Sequence, residues 1–393
     1  MIPLEDIYNN GINLLIGSGA SYGIFPTLEL AIKKDTGERW TLEELATHFE
    51  ATNDSRYTPL FMHYYKECIL PAQCFSISAV NDEPGKTVIA NYQTFLQTLL
   101  ALVQRRQALD RRCNLFTTNY DGCIPLVADD LLRIGAHDFV LNDGTRGFQT
   151  KILEARNFNN YLCQSGVFDR HVSSVPQINL IHLHGSVYWK KSMRGIEVDY
   201  GSRASALLNE ATIEKLGSFS AALRDPDVTL EELPAPKFDE ATQTAFWSQY
   251  KQMPIVNPTK WKFHETVYEE HYYQMLRLLS YELEKPNAVL ITFGFSFADE
   301  HILHLVKRSL SNPRLQVFVC CHSKVAYDKL SEEFRQYPNV KCLILEAGAL
   351  MTFSEFNEKV FSLRGHCDGT DEAAAVMGVT VVPKAEPAEA DAK

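Results

Sequence analysis

Hydrophobic residues along the chain occur in short continuous runs that alternate with segments of helical spacing. The runs are rich in Leu, Ile, Val and Phe and end at polar or glycine residues, as buried parallel strands do. They lie at 13–16, 114–117, 178–183, 288–293, 315–321 and 340–345. Helical patterns occupy 91–108, 125–134, 265–283 and 299–310. This alternation predicts an α/β fold, a Rossmann-like doubly wound parallel sheet with helical insertions.

Two long segments interrupt the alternation. Residues from about 28 to 110 are mostly helical in pattern, and Thr41 with Glu44 three positions later is typical of a capping box at a helix start. Residues from about 190 to 253 are polar, acidic and irregular. We therefore predict one domain over residues 1–366 that carries a helical insertion and an irregular insertion.

Composition and charge narrow the classes of function. The 393-residue chain is 45% hydrophobic, and its net charge is -11. Because a general phosphate-backbone binder needs a basic surface, we expect no direct sequence-specific nucleic-acid binding. The basic residues Arg105, Arg106, Arg111 and Arg112 fit a solvated helix end better than a nucleic-acid groove. Alanine, glutamate and proline dominate 367–393, which predicts a disordered tail.

Cysteine usage and hydropathy bear on the cellular location. The nine cysteines are irregularly spaced and form no C-x-x-C pair, which favours reduced thiols used as small hydrophobic residues. No run approaches the roughly 18 apolar residues of a membrane span, and residues 1–10 lack the pattern of a signal peptide. We expect a cytoplasmic protein with no membrane partner.

A glycine-rich segment at 17–23 follows the first predicted strand. Its pattern, Gly17-x-Gly19-x-x-x-Gly23, predicts a turn and then a helix, whose N-terminus could hold a phosphate through backbone N–H groups. The spacing differs by one residue from the dinucleotide-binding fingerprint. The acidic residues about 20 positions on, Asp35 and Glu38, lie in a segment of helical pattern and not at the end of a second strand. Phosphate binding and a tight turn with close packing are therefore both compatible with the pattern.

Polar side chains follow the next two strands. Asn119 carries both a donor and an acceptor, so it could orient a water or a ribose hydroxyl, or simply form a turn. His182 and His184 lie on the same face of their strand, because side chains alternate between the two faces. A neutral His184 at the strand end could act as a base, or it could be a buried structural histidine. The His-x-His spacing also suits a metal, although we expect no further ligand to be well placed, since His301 and His304 are as easily surface residues.

A late segment repeats the order of strand, glycine turn and helix. Gly294 follows the strand at 288–293, and Ser296 with Asp299 could form a capping box or a second anion-binding helix start. His322 follows the next strand, where it could contact an adenine or a ribose.

Taken in order, these segments resemble the sirtuin superfamily. Residues 17–21 look like its Gly-Ala-Gly-x-Ser opening, and 117–121 look like its Thr-Gln-Asn-Ile-Asp segment. Residues 183–185 match its catalytic Leu-His-Gly, and 294–296 look like its later Gly-Thr-Ser. The resemblance runs from about residue 12 to 345 and is interrupted by the insertions.

The resemblance implies that NAD is the substrate and that Asn119 and His184 are catalytic. It also implies that NAD is held by residues from all the matching segments and from the end of the following strand. These are Gly17, Ser18, Gly19, Ala20, Ser21, Thr118, Asp121, Gly294, Ser296 and His322.

One departure from the family is informative. Protein-deacylating sirtuins carry a four-cysteine zinc module after the histidine, whereas no cysteine occurs between Cys163 and Cys320 here, so we expect no zinc. The combination is similar to the bacterial sirtuin-like NAD hydrolases of anti-phage defence, which deplete cellular NAD. It implies an NAD+ glycohydrolase that forms a homo-oligomer and is controlled by a partner ATPase, translocase or sensor protein on a separate chain.

Three other functions stay open at this point. The chain could be an NAD-dependent protein deacylase without the zinc module, because the same two residues would serve that reaction. It could be a non-catalytic sensor of NAD or ADP-ribose. A zinc hydrolase built on His182 and His184 is the third alternative.

Overall fold

The structure, a computed structural model, describes residues 2, 4–135, 137–165, 172–201, 207–257 and 270–363. The predicted tail at 367–393 lies outside the described residues, as does the beginning of the helix predicted over 265–283. Within the described ranges, no helix has the length and apolar composition that a bilayer span requires.

A seven-stranded sheet forms the centre of the molecule, and each neighbouring pair of its strands is parallel. In chain order the strands are β1 (Gly11–Ile16), β2 (Arg112–Thr117), β3 (Val140–Asn142), β4 (Gln177–His182), β5 (Ala288–Phe293), β6 (Gln316–Cys320) and β7 (Val340–Leu343). The spatial order is β7-β6-β5-β1-β2-β4-β3. From β1 the chain moves outward to β2 and then to β3 at the edge of the sheet, and β4 fills the place between β2 and β3. The chain then crosses to β5 on the other side of β1 and moves outward through β6 to β7. This order confirms the predicted Rossmann-like α/β fold, in which ligands bind where the strand order reverses.

Helices cover both faces of the sheet. One hydrophobic core lies between the sheet and the helices Glu83–Gln104 and Cys123–Ile134, with the short segments Phe353–Glu355 and Phe356–Val360. The other lies under the helices Glu270–Glu284, Glu300–Ser309 and Lys324–Glu333. Because both faces are covered, strands β4 and β5 are buried along their whole length.

The two insertions pack against each other and share a third hydrophobic core. The first contributes the hairpin Glu29–Lys33 and Arg39–Thr41 and the helices Leu42–Ala51, Tyr57–Tyr64 and Leu70–Gln73. The second contributes the helices Glu210–Ala222 and Glu240–Tyr250. The prediction that 190–253 is irregular is therefore wrong for these two helices. Each begins at a capping side chain, Asn209 and Asp239, which the polar composition of the segment obscured.

Smaller elements complete the described chain. Four strands form an antiparallel sheet beside the main one: Thr145–Arg146, Lys151–Leu153, Trp189–Ser192 and Gly195–Val198. A second pair is Cys163–Ser165 with Val172–Ser174. Short helical turns lie at Leu4–Ile7, Ser18–Ser21, Tyr65–Ile69, Ile77–Ala79, Ala155–Asn159 and Glu346–Gly348.

Capping side chains that the sequence supplies account for several helix starts. The capping box predicted at Thr41 is confirmed, because its hydroxyl accepts from the Glu44 N–H and the Glu44 carboxylate accepts from the Thr41 N–H. The helix predicted over 91–108 instead spans Glu83–Gln104, since Asp82 caps it by accepting from the Gly85 N–H.

The basic cluster at 105–112 is not wholly a solvated helix end, because Arg106 is buried and donates to the Asn10 carbonyl.

A ladder of side-chain amides crosses four strands of the main sheet. Asn114 on β2 donates to Asn13 on β1 at 2.9 Å, and Asn179 on β4 donates to Asn114 at 2.8 Å. Asn142 on β3 donates to Asn179 at 3.0 Å. These asparagines are also register partners in the backbone pairing. Because a buried amide that loses its partner is costly, the ladder favours this one register over its alternatives.

The register brings the carboxyl ends of four strands to one edge. Ile16 of β1 is paired with Thr117 of β2 and with Phe293 of β5, and Thr117 is paired with His182 of β4. The segments that follow these strands therefore start side by side. They include every segment that the sequence singled out as a candidate site except His322, which follows β6.

Replacing Asn114 by Leu should destabilise the sheet. The change removes the donor to Asn13 Oδ1 and the acceptor for Asn179 Nδ2, at about 1–3 kcal/mol for each abandoned group. We expect a lower urea midpoint for Asn114→Leu in equilibrium unfolding. The matched control is Asn81→Leu at an exposed position. Equal midpoints for the two variants would show that the ladder adds nothing to stability.

His63 should make stability depend on pH. It is buried between two helices of the insertions, where its Nδ1 lies 2.9 Å from Ser220 Oγ, and burial lowers its pKa from 6.5 to about 4. Between about pH 6.5 and pH 4, His63 is therefore protonated in the unfolded chain but neutral in the folded chain. The free energy of unfolding consequently falls as the pH drops toward 4.

We expect the wild type to lose about 2 kcal/mol more unfolding free energy between pH 7 and pH 5 than the His63→Gln variant does. Urea unfolding at the two pH values measures the difference. His304→Gln, at an exposed histidine, is the control and should retain the wild-type pH dependence. An identical pH dependence in wild type and His63→Gln would contradict the assignment.

Candidate functional site

The two glycine turns at the strand ends pack directly against each other. A Cβ added to Gly19 would lie 2.9 Å from Gly294 Cα, and one added to Gly294 would lie 2.6 Å from the Ala20 nitrogen. One added to Gly17 would collide with the Gly294 carbonyl. The Gly17 N–H donates to the Phe293 carbonyl and the Gly19 N–H donates to the Gly294 carbonyl, each at 3.0 Å. The sequence left two roles open for the turn at 17–23, phosphate binding and close packing. Close packing against the Gly294 turn accounts for Gly17 and Gly19.

The prediction of a helix directly after the first glycine turn is wrong. Only a single 3-10 turn, Ser18–Ser21, follows Gly17 before the chain turns toward the hairpin. Ala20 and Ser21 are buried, whereas Ser18 is exposed at the edge of the sheet. The long helix dipole on which the phosphate-binding hypothesis relied is therefore absent from this turn.

Ser21 is the centre of a buried polar network. Its Oγ donates to Asp121 Oδ2 at 2.8 Å, lies 2.8 Å from the Tyr92 hydroxyl, and accepts from Asn119 Nδ2 at 3.2 Å. Asp121 Oδ1 accepts from the Cys123 N–H at 2.9 Å, so both carboxylate oxygens have protein partners. Burial raises the pKa of Tyr92 well above its ordinary value, which keeps the phenol protonated as a donor to Ser21.

This network determines which way the Asn119 amide faces. The Ser21 hydroxyl has one proton, and it is directed to Asp121, so the hydroxyl accepts from the Asn119 NH2 group. The Asn119 side-chain oxygen then faces the other way. Asn119 Oδ1 is buried and has no hydrogen-bond partner among the described residues. A ligand that donates a hydrogen bond would satisfy it.

The two histidines of the His-x-His segment have different surroundings. His182 Nδ1 lies 3.0 Å from the Asn119 carbonyl oxygen, and the ring packs edge-on against Trp189. Burial lowers the pKa of His182, so the ring is neutral and donates from Nδ1 to this carbonyl. His184 Nε2 instead lies 3.2 Å from His301 Nε2.

His184 is held in place by a crossing segment. Its carbonyl accepts from the Val256 N–H at 2.9 Å, and Gly185 pairs with Ile255 in an antiparallel bridge. Gly185 has a φ of +83°, and any Cβ there would collide with Pro254. A glycine is therefore required directly after His184. Since Asn119 and His184 each lie two residues beyond the register partners of β2 and β4, they occupy equivalent positions on neighbouring strands.

A group of side chains around His184 escaped the sequence analysis. His184, Asp299 and His301 place their ligand atoms within 4.8 Å of one another. His182 is not part of this group, so the idea of a His182–His184 metal pair is wrong, as is the expectation that no further ligand is well placed. Spacing alone could not reveal the group, because Asp299 and His301 belong to a different strand–helix connection from His184.

Tyr92 was also missed as a site residue. It lies on the apolar face of the Glu83–Gln104 helix and is buried, so the periodicity of the sequence placed it among core residues. One general rule could have identified it. The hydroxyl of a fully buried tyrosine needs a hydrogen-bond partner, and for Tyr92 that partner is Ser21.

The remaining predicted residues are more peripheral. Thr118 is half-buried beside Asn119, and its N–H donates to the Ile16 carbonyl. Ser296 is exposed, and its hydroxyl accepts from the Ala298 N–H at 3.4 Å and not from the Asp299 N–H, as the proposed capping box would require. The helix starts at Glu300 with Asp299 as its N-cap residue.

His322 lies at the same edge of the sheet as the other segments but two strands away from β1, because it follows β6. It is exposed, and its Nδ1 lies 3.2 Å from the Met351 carbonyl. The structure therefore brings Ser21 into direct contact with both Asn119 and Asp121, and places His322 two strands away from β1.

Comparison of the chain with protein-family models and with curated proteins finds no match. The assignment of chemistry to the site therefore depends on the geometry described above and on the sequence motifs.

The glycine contact yields a direct test. Gly17→Ala should destabilise the fold by about 1–3 kcal/mol or more, because the new Cβ must push the Gly294 turn away. Gly217→Ala is the control, since Gly217 lies inside the Glu210–Ala222 helix with open space around it. That change should stabilise the protein by about 0.5–1 kcal/mol. Thermal unfolding of both variants measures the effects, and a neutral Gly17→Ala would contradict the packing role.

Proposed function

We propose that the chain hydrolyses the nicotinamide–ribose bond of NAD+. The observation that supports this best is the orientation of Asn119, whose buried Oδ1 lacks a partner at the edge of the sheet that His184 also occupies. An acceptor and a base that reach the same edge of the sheet would together activate a water or a ribose hydroxyl. The sirtuin-like order of the motifs supplies the choice of substrate.

The proposed reaction consumes NAD+ and water and produces ADP-ribose, nicotinamide and a proton. The bond between the nicotinamide nitrogen and the ribose breaks, and its electron pair leaves with the nicotinamide, which becomes neutral. Positive charge develops on the ribose, as in glycoside hydrolysis. Asn119 Oδ1 would accept a hydrogen bond from the attacking water or from a ribose hydroxyl, and His184 would take the proton. Because the leaving group starts as a cation, neither a metal nor a strong acid is needed.

Ser21, Asp121 and Tyr92 would act as positioning residues for Asn119. Both Asp121 oxygens and the Ser21 hydroxyl are already bonded within the protein, so we assign Asp121 to orienting the amide instead of supporting charge on the ribose. Precise orientation of this kind can provide a large part of an enzymatic rate enhancement.

The diphosphate of NAD would lie near the paired glycine turns. The Gly17 and Gly19 N–H groups already donate to backbone carbonyls, so we propose that the exposed hydroxyls of Ser18 and Ser296 contact the phosphate oxygens. The glycines would contribute by keeping that surface free of side chains. His322 would contact the far end of the nucleotide.

The biological role follows from the sequence resemblance. We propose that the protein is a cytoplasmic effector of anti-phage defence that depletes NAD. An uncontrolled NAD hydrolase would kill its host, so the isolated chain would have low activity. We further propose that it assembles as a homo-oligomer and that a partner ATPase, translocase or sensor protein on a separate chain activates it.

Asn119→Ala and His184→Ala should each lower NAD hydrolysis by at least about 100-fold, because a positioned base and its oriented partner typically contribute that much. Mass spectrometry of NAD, nicotinamide and ADP-ribose would measure the rates. The assay should use the full chain, with and without the protein that copurifies with it. Circular dichroism and thermal unfolding would verify that the variants fold.

His304→Ala serves as the matched control, since His304 is an exposed histidine on the same helix as His301. Its rate should equal that of the wild type. Wild-type turnover by either the Asn119 or the His184 variant would contradict the proposed roles. Release of nicotinamide that depends on an acylated peptide would identify a deacylase instead.

A further inference from the structure

Three side chains from two distant parts of the chain meet beside the proposed site. His184 follows β4, whereas Asp299 and His301 lie at the start of the helix Glu300–Ser309. Their ligand atoms all lie within 4.8 Å of one another. His184 is 6% exposed, and the other two residues are half-buried. The group is thus largely shielded by the protein, while two of its members keep contact with solvent.

The distance between the two imidazoles matches a shared metal ion. Nitrogen ligands bind Zn2+ at about 2.0–2.1 Å, so two of them on a tetrahedral ion lie about 3.3–3.4 Å apart. His184 Nε2 and His301 Nε2 are 3.2 Å apart. Two histidines and one carboxylate are also an established ligand set for zinc, which leaves one coordination position open.

We propose that His184, Asp299 and His301 bind a divalent transition-metal ion of the zinc class, and that this ion inhibits the enzyme. The second part rests on the proposed function. A neutral imidazole has one lone pair, and coordination to a metal uses it. A metal-bound His184 therefore cannot accept a proton, so the site would hold either an ion or a working base.

This site differs from the zinc module of protein-deacylating sirtuins. That module uses cysteines, and its absence led to the expectation that the chain needs no zinc. The histidine–carboxylate group has a different ligand set and lies next to the proposed reaction centre. It would regulate the reaction, whereas the cysteine module supports the scaffold.

Zinc binding should be measured on the full chain after removal of metals with a chelator. Equilibrium dialysis with ZnCl2 and metal analysis would give the stoichiometry. We expect the wild type to bind one more ion per chain than His301→Gln or Asp299→Asn. His304→Gln, which removes an exposed histidine from the same helix, should bind as the wild type does. Cobalt absorption in the visible region should report tetrahedral coordination in the wild type and lose it in the first two variants.

Equal zinc binding by the wild type and both variants would overturn the site, and would indicate that the two imidazoles share a proton instead of an ion. This measurement does not depend on NAD hydrolysis, so it can succeed even if the proposed function fails.

The inhibitory role is tested separately on the active preparation with its copurifying protein. Zinc should slow NAD loss by the wild type at least 10-fold. His301→Gln, compared with its own metal-free rate, should lose this sensitivity. Zinc that binds through the three residues but leaves NAD loss unchanged or faster would overturn the inhibitory role.

Discussion

The register of the parallel sheet is the constraint on which the rest of this structure depends, and a partly buried ladder of asparagines maintains it. A parallel sheet buried on both faces has little alternation of polar and apolar residues, so hydrophobic burial alone specifies its register weakly. The ladder adds a requirement on the register, because the Asn114 side chain can bond to Asn13 and to Asn179 only when both stand opposite it. A slip by one residue would leave several amides buried without partners.

The register in turn decides which residues can cooperate chemically. It places the segments after β1, β2, β4 and β5 at one edge, where Ser21 reaches both Asn119 and Asp121. The close packing of the Gly17 and Gly294 turns belongs to the same arrangement, since any side chain at either glycine would separate β1 from β5 at this edge. The glycines therefore shape the site even though the Gly17 N–H group is occupied.

The site also carries an energetic cost that a ligand would remove. A buried polar atom without a partner costs about 1–3 kcal/mol, and both Asn119 Oδ1 and His182 Nε2 are in this state among the described residues. In native proteins such atoms are explained by a bound water, an ion, local strain or a functional role. A hydroxyl or water that donates to Asn119 would relieve part of this cost, which favours a polar, hydroxyl-bearing substrate such as a ribose. The proposed zinc site lies at the same edge and would compete for His184.

Local patterns in the sequence were sufficient for the α/β class, most strands of the main sheet and the capping box at Thr41, because strand hydrophobicity and capping chemistry are properties of neighbouring residues. They also indicated Asn119 as a strand-end residue. They failed wherever the partner is distant in the chain. The two helices within 190–253 are stabilised by a core shared with the first insertion, and Tyr92 resembled an ordinary core residue. Only the tertiary structure brought Asp299 and His301 to His184, since more than a hundred residues separate them and no local pattern records that contact.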